Sequence, residues 1–334
     1  MSTWLLKYRA TLVVGTLILV SLLLTLVWRV EDTRTLRFAH VYEISTPFHQ
    51  QALWAADEFE RVTDGRYRIR VYPASALGNE AAINEALSLG SIDIIYTGAA
   101  FGANSFPPIA LSDFPYAIED FDHWKSYRDS ELFEEIAAGY GEATGTRITG
   151  LSYDGFRHVT ANKPVLHPDD MQNLKIRVPN APIYLIFPEA TGANATPMPF
   201  SEVYLALQQG VVDAEENPLT TIRAKRFYEV QSHISLTGHI MPALLTLVPT
   251  SLLSKLSAED AAALLDVLWR SADRASHEIA ANESILIEWF REQGLTVNEV
   301  DRDAFRAAID NEFLDREYPF DPVYLQRLRE LATK

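Results

Sequence analysis

Arg177 is the side chain in this sequence best suited to recognise a charged partner, because it lies within a short β-branched run, residues 174–179. Its guanidinium keeps a positive charge at any physiological pH and presents a planar fork that fits a carboxylate with two parallel hydrogen bonds. The run predicts a strand that ends at Pro179, and a charge on an otherwise apolar strand needs an anion. That anion is either a protein acid, such as Asp213, or a ligand, and the residue pattern leaves both open.

The elements that would position such a site begin with an alternation of strands and helices in the first third of the chain. Apolar residues recur at two-residue spacing in the predicted strands and at helical spacing in the predicted helices. These elements are predicted at residues 36–39, 47–61, 67–72, 79–89 and 92–96. Parallel sheets covered by helices bind ligands beyond the carboxyl ends of their strands. The loops after Ala39, Tyr72 and Tyr96 are therefore predicted to face a ligand.

A second strand-helix series follows a crossing between domains, which is predicted at residues 154–160. Its elements are predicted at residues 174–178, 183–190, 195–198, 201–209 and 211–214. Between the two series, residues 98–115 are predicted to form a loop and residues 121–141 a helix. The apolar run at residues 241–249 predicts a buried strand that crosses back to the first domain.

A single long helix is predicted from Ser257 to Gly294, because residues 257–260 resemble a capping box and no helix breaker follows before the glycine. A helix of that length measures about 55 Å, which exceeds one small domain, so it would lie across two domains. Two helices with a kink near Asn282 are the alternative.

The predicted fold is α/β: a two-domain periplasmic-binding-protein (venus-flytrap) fold with a long domain-spanning helix. Each domain is discontinuous in sequence, and a ligand cleft lies between them. Residues 1–30 are predicted to form a signal or anchor segment. Domain I (α/β) is predicted to comprise residues 31–154 and 243–282, and domain II (α/β) residues 155–242 and 283–334.

Weaker candidates for the cleft lie on the predicted loops and turns. Glu80 could accept hydrogen bonds from ligand hydroxyls, or it could cap the helix that begins nearby. Phe156 and Tyr153 could form an apolar wall. Tyr96 and Phe101, which follow a strand of the first domain, could line the opposite side.

Composition describes a folded acidic protein and excludes several functions. The 334 residues are 48% hydrophobic and 22% charged, which is typical of a globular chain. Cysteine is absent, which excludes a disulfide framework, a thiolate zinc site and a cysteine nucleophile. The net charge of −16 argues against nucleic acid as a partner, because proteins that bind nucleic acid show a basic surface.

The N-terminus predicts export from the cytoplasm. Lys7 and Arg9 precede an uncharged apolar run, residues 11–28, which is the pattern of a secretory segment. The run is near the lower length limit for a membrane-spanning helix, and no small-residue cleavage site follows it. We therefore expect a periplasmic protein that is tethered to the inner membrane if this segment stays uncleaved. Without residues 1–30, which hold three basic residues and no acid, the chain carries −19. Attraction of an anion must then be local.

No enzyme motif is present, and the chain is predicted not to be an enzyme. It contains no nucleophile elbow, phosphate-binding loop or dinucleotide fingerprint, and the pair His277-Glu278 lacks the second histidine of a zinc-protease motif. A carboxylate-dyad hydrolase is the one enzyme class that motifs leave open. No catalytic residue, metal site or cofactor is predicted. His49 and His239 fall near the predicted cleft, but a lone histidine is more often structural.

A long ordered series of short motifs gives the sequence a specific resemblance. The series comprises Leu77-Gly78-Asn79-Glu80, Leu89-Gly90-Ser91-Ile92-Asp93, Gly155-Phe156-Arg157, Lys175-Ile176-Arg177-Val178-Pro179, Pro197-Met198, Ala206-Leu207-Gln208 and Glu216-Asn217-Pro218. Over about residues 35–330, the chain resembles the extracytoplasmic solute receptors of TRAP transporters, the DctP family. The resemblance implies a two-domain periplasmic receptor that closes on an organic anion and delivers it to a sodium-driven permease.

The same resemblance assigns roles to individual residues. It implies that Arg177 holds the ligand carboxylate, that Arg157 adds to this contact, and that Asn217 hydrogen-bonds the same group. A structural ion pair for Arg157 and a plain turn at Asn217 remain the alternatives. With Glu80, Phe156 and Tyr96 added, these residues form the predicted binding site.

The ligand and partners follow from this interpretation. We expect an organic acid, with a sugar acid or a C4-dicarboxylate favoured over a keto acid or an aromatic acid. The expected protein partners are the small and large membrane subunits of a TRAP permease. The alternative is a membrane-anchored sensory binding protein of the same fold that reports organic-acid occupancy to a signalling partner.

Overall fold

The computed structural model describes residues 33–314 and 317–332. The predicted signal or anchor segment, residues 1–30, lies outside these residues. Among the helices of the described ranges, none combines the length and apolar character needed to cross a membrane.

Eleven strands in the described residues form two sheets. In chain order they are β1 Arg34–Ala39, β2 Tyr67–Tyr72, β3 Ile94–Gly98, β4 Thr146–Tyr153, β5 Arg157–Ala161, β6 Lys175–Val178, β7 Asn194–Pro197, β8 Ala214–Pro218, β9 His233–Ile240, β10 Ala243–Pro249 and β11 Thr296–Asn298. The first sheet has the order β2-β1-β3-β10-β4 and the second the order β11-β9-β5-β8-β6-β7. The predicted α/β fold with two sheets is confirmed.

The described helices cover and connect these sheets. In chain order they are α1 Pro47–Val62, α2 Glu80–Ser88, α3 Phe121–Arg128, α4 Glu131–Thr144, α5 Ile186–Ala190, α6 Val203–Gln208, α7 Leu219–Ala224, α8 Thr250–Leu253, α9 Ala258–Glu292, α10 Arg302–Glu312 and α11 Pro322–Leu331. Short 3-10 helices occupy residues 99–102 and 107–113, so the predicted loop after β3 is partly helical. The predicted helix at 121–141 is two helices, because Ser130 caps α4 by accepting a hydrogen bond from the Phe133 amide.

Strand β10 is the apolar run that the sequence predicts to cross back. It lies between β3 and β4 in the first sheet, antiparallel to both, and nearly all of its residues are buried. A strand covered on both faces gains from continuous rather than alternating apolar residues. The chain thus passes from the first sheet to the second after β4 and returns between β9 and β10.

Helix α9 is one continuous helix rather than two. The Ser257 hydroxyl accepts a hydrogen bond from the Asp260 amide at its N-terminus, and the helix then runs for 35 residues, or about 52 Å. It packs on α1 and β4 beside the first sheet and on α7 and β11 beside the second. The prediction of a long domain-spanning helix is confirmed.

Three further features differ from the sequence prediction. The strand expected at residues 211–214 lies at 214–218, so Glu215, Glu216 and Asn217 lie within β8 rather than after it. Helix α11 packs on α3 and α4 beside the first sheet, whereas the predicted division places residues 283–334 with the second. The predicted pattern also lacked β9 and β11.

Candidate ligand-binding site

A cavity lies where the two sheets meet, with about 450 Å³ of space between the atoms, part of it open to solvent. Side chains from both sheets and their loops line it, namely Val41, Tyr42, Glu80, Phe101, Asp154, Arg157, Arg177, Pro179, Tyr184, Phe200, Asn217, Thr221, Pro242 and Ala243, together with Gly98. Of the six predicted binding residues, the structure brings Arg177, Arg157, Asn217 and Glu80 together here. Because these residues come from β6, β5, β8 and α2, the cavity exists only when the two sheets are assembled.

Arg177 is a buried cation whose contacts with the described residues include no acid. Strand β6, paired with β7 and β8, holds it at 2% exposure. Its Nε and Nη2 atoms both donate to the Met198 carbonyl, at 3.1 Å and 2.7 Å, and no described carboxylate oxygen lies within 4.0 Å of its nitrogens. Asp213, the acid considered as its partner, instead accepts a hydrogen bond from the Lys175 amide. Asp213 is therefore ruled out as the anion that accompanies the charge of Arg177.

Burial makes the charge on Arg177 unfavourable. It lowers the pKa of the guanidinium to about 10, with a smaller contribution from the neighbouring Arg157 and an opposing one from Glu216. The side chain therefore stays protonated at neutral pH. An anion in the cavity would relieve this unfavourable charge.

Arg157 differs from Arg177 because it has a protein counter-ion. Its Nε and Nη2 atoms donate to the two carboxylate oxygens of Glu216, the second at 2.8 Å, and its guanidinium lies over the Tyr184 ring. Glu216 also contacts His239 Nε2 at 3.2 Å. Burial lowers the pKa of Arg157, but the charge and hydrogen bonds of Glu216, together with Tyr184 and Asp154, outweigh burial and hold the pKa above its usual value. The structural ion pair left open by the sequence thus forms, at the wall of the cavity.

Asn217 lies in a strand, so a plain turn does not explain it. Its Nδ2 atom donates to Glu215 Oε2 at 2.5 Å, and Glu215 Oε1 accepts from the Thr160 hydroxyl at 2.8 Å. Burial raises the pKa of Glu215 to about 7. These contacts orient the amide at the cavity while leaving its oxygen and second N–H without a hydrogen bond to the described residues.

Glu80 and Asp154 form the acidic part of the lining. Asn79, not Glu80, caps α2, and Glu80 Oε1 instead accepts a hydrogen bond from the Gly98 amide at 3.3 Å. Part of Glu80 is exposed, yet burial of its carboxyl raises the pKa to about 7. Asp154 is only 4% exposed, and burial raises its pKa well above the usual value. Sequence reasoning did not single out Asp154, although it directly precedes Gly155 of the recognised motif.

Tyr96 and Phe156 are not brought to the cavity. Tyr96 is 1% exposed in the core, where its hydroxyl contacts Ser271 Oγ at 3.1 Å and its ring meets Phe38 edge-on. Successive side chains of a strand point to opposite faces, and Tyr96 falls on the face of β3 that α9 covers. Phe156 packs edge-on against Tyr153.

Aromatic and hydroxyl side chains that the sequence did not identify complete the lining. Tyr42, Tyr184, Phe200 and Thr221 come from a loop, two short helical segments and α7. No local motif marks them, since each is an ordinary core residue in sequence. Phe101, a weaker candidate in the sequence, does lie at the cavity.

The protein has two helix-covered sheets joined by crossing strands, and a cavity with two arginines lies at their junction. This is the architecture of a solute-binding receptor. The chain belongs to the bacterial extracellular solute-binding protein family 7, DctP, whose sequence profile matches residues 38–316. The predicted family is thereby confirmed. It is a family of binding proteins, in agreement with the absence of enzyme motifs.

Similar proteins support this assignment. The sialic acid-binding periplasmic protein SiaP of Vibrio cholerae is 32% identical over 282 residues, which cover 84% of this chain and 87% of that protein. A TRAP periplasmic solute-binding protein from Roseobacter denitrificans with bound L-galactonate superposes with a TM-score of 0.84 at 29% identity, over 90% of this chain and all of that one. A further one, from Sulfurospirillum deleyianum with bound succinate, gives 0.84 at 25% identity, over 89% and 99% of the two chains.

Proposed function

We propose that this protein is an extracytoplasmic receptor that binds an organic acid through its carboxylate and delivers it to a sodium-driven TRAP permease. The observation that carries the proposal is Arg177, a buried guanidinium with no acidic partner among the described residues. An isolated buried charge is unfavourable, and a ligand carboxylate supplies the missing partner. The sugar acid and dicarboxylate bound by similar proteins are of this chemical class.

The hydrogen-bonding groups around Arg177 suit one carboxylate. A guanidinium has five N–H donors, and two of them point to the Met198 carbonyl, which leaves three for a ligand. The Asn217 amide adds a donor without adding charge. Arg157 is already paired with Glu216, so Arg177 is the lining guanidinium that has no carboxylate oxygen of the described residues within ion-pair distance.

Ligand entry requires the two halves of the molecule to separate. Arg177 and Asn217 are 2% and 4% exposed, so neither can meet a ligand from solvent in this conformation. One contact that must open is the ion pair between Lys225 Nζ, after α7, and Glu43 Oε1, after β1, at 2.7 Å. Closure around the ligand then re-forms this contact and presents one closed surface to the permease.

A ligand screen tests the binding function. Thermal unfolding of the purified protein is followed with L-galactonate, D-erythronate, N-acetylneuraminate and succinate. An acid at 100 times its dissociation constant adds about 2.7 kcal/mol of stability. The same screen with Arg177→Met should give less than about a third of that stabilisation at the same acid concentration. If no acid stabilises the protein, or if the variant responds as the natural protein does, carboxylate binding by Arg177 is wrong.

A transport assay tests the delivery function. Permease subunits encoded with this protein are reconstituted in vesicles, and uptake of the labelled acid found in the screen is measured with and without a sodium gradient. Uptake should require the receptor and the gradient together. Uptake that is indifferent to the receptor would remove the permease from the proposal while leaving ligand binding intact.

A further inference from the structure

The Asp154 carboxyl is a buried polar group without a protein partner. It follows the last residue of β4, lines the same cavity as Arg177, and is 4% exposed. Its Oδ1 atom is buried with no hydrogen-bond partner, and within the described ranges neither carboxyl oxygen takes part in a hydrogen bond. Buried polar atoms are nearly always paired, so this oxygen points to a group that is absent from the protein itself.

Burial and acidic neighbours both raise the pKa of the Asp154 carboxyl and so favour its neutral form. Burial raises the pKa of its carboxyl, and the nearby Glu80, Asp113 and Glu283 raise it further, while Arg157 opposes them. Burial also raises the pKa of Glu80, on the same cavity wall, to about 7. A second negative charge placed beside these carboxyls would therefore be unfavourable.

A hydroxyl group is the ligand chemistry that fits these carboxyls. A protonated carboxyl carries one O–H donor and acceptor oxygens, and a hydroxyl both donates and accepts, so the two satisfy each other without adding charge. An alkyl group would leave Asp154 Oδ1 unpaired. A second ligand carboxylate would face Asp154 and Glu80, and an ammonium group would require one of them to ionise.

We propose that Asp154 is a specificity-determining residue that hydrogen-bonds a ligand hydroxyl, so that the receptor selects hydroxylated monocarboxylates over dicarboxylates. The inference rests on the proposed function, because it takes the ligand carboxylate to be held at Arg177. It assigns Asp154, a second polar group of the same cavity lining, to the part of the ligand that Arg177 does not bind.

Two matched series of acids test this selectivity by calorimetry on the full chain. The four-carbon acids are D-erythronate, butyrate, succinate and 4-aminobutyrate, and the six-carbon acids are L-galactonate, hexanoate, adipate and 6-aminohexanoate. In at least one series, the hydroxylated acid should bind at least 100-fold more tightly than the other three members. Equal or tighter binding of the unsubstituted acid, the dicarboxylate or the amino acid would overturn the proposal, and the last of these would indicate an ammonium ligand.

Substitution of Asp154 tests the residue itself. Asp154→Leu should weaken binding of the hydroxylated acid at least tenfold without weakening binding of the unsubstituted acid of equal length. Asp154→Asn, which keeps the size and a hydrogen-bonding oxygen, should retain affinity for the hydroxylated acid within about threefold. A residue that only supports the fold would lower both affinities together, and that result in either variant would overturn the proposal.

The Arg177→Met variant separates the failure of this inference from failure of the proposed function. If acids bind and the variant abolishes their binding, but hydroxylation makes no difference, only the role of Asp154 is wrong. If no acid in either series binds in a manner that depends on Arg177, the proposed function is wrong and this inference fails with it.

Discussion

Replacement of Arg177 by methionine should weaken carboxylate binding strongly yet change the stability of the ligand-free protein only modestly. The substitution has two opposing effects on stability, because the guanidinium is buried without an acidic partner among the described residues and yet donates two hydrogen bonds. Methionine fills similar space without charge. Removal of an unpaired buried cation is favourable, and loss of its hydrogen bonds to the Met198 carbonyl is unfavourable.

The structure gives the size of each effect. The fall in the pKa of Arg177 from its usual value to about 10 corresponds to about 3 kcal/mol of unfavourable free energy in the charged folded state. Loss of both donors to the carbonyl of the half-buried Met198 costs at most about 1–3 kcal/mol. The free energy of unfolding of the empty protein should therefore change by less than about 2 kcal/mol in either direction. Affinity for the acid should fall by about 2–5 kcal/mol, or roughly 30-fold to several thousandfold.

Arg157→Met is the matched control, because Arg157 is equally buried but paired. Its removal leaves Glu216 as an uncompensated buried charge, which should cost about 3–5 kcal/mol of stability. Urea unfolding without ligand measures the stability of both variants, and calorimetry with the best acid of the screen measures their affinity. If Arg177→Met destabilises the empty protein as much as Arg157→Met does, Arg177 has a structural partner and the reasoning is refuted.

Three further predictions concern pH, closure and the core. Burial raises the pKa of Glu215 to about 7. Between about pH 4.5 and pH 7 the folded protein therefore keeps a proton that the unfolded chain releases. The contribution of this carboxyl to stability falls as the pH rises through that range. In urea unfolding, the free energy of unfolding of Glu215→Gln minus that of the natural protein should therefore be about 2 kcal/mol larger at pH 8 than at pH 5. An equal difference at both pH values would contradict the raised pKa. Glu43→Gln and Lys225→Gln should each speed dissociation of the acid by roughly two- to fivefold in stopped-flow measurements, and the double variant should add little to either, since they share one ion pair. Additive effects would show that the two residues act separately. Tyr96→Phe should lower the free energy of unfolding by about 1 kcal/mol through loss of the Ser271 contact, with ligand affinity unchanged; weaker binding would return Tyr96 to the site.

Patterns that are local in sequence predicted the frame of this protein well. Helix α9 was predictable as one element because a capping serine precedes it and no glycine or proline interrupts it. Strand β10 was predictable as buried because its apolar run is continuous. Strands β9 and β11 were missed, since their residues acquire strand pairing only from partners distant in sequence, including each other.

For Arg177 as well, the sequence determined one part of the chemistry and the tertiary structure another. The sequence by itself determined that a permanent cation lies on a strand before a proline, and the motifs around it determined the family. Only the tertiary structure decided that Arg157 is neutralised, because Glu216 is brought to it by the pairing of β5 with β8, 59 residues away along the chain.

The tertiary structure also removed Tyr96 from the predicted binding site and added Asp154 to it. Tyr96 was assigned to the core because the face of a strand that α9 covers is set by packing, not by local spacing. Asp154 became a candidate because burial and the absence of a hydrogen-bond partner are properties of the assembled cavity. Residue type and order identified the cation and its family, whereas burial and pairing, which depend on contacts between distant segments, decided which charges remain available to a ligand.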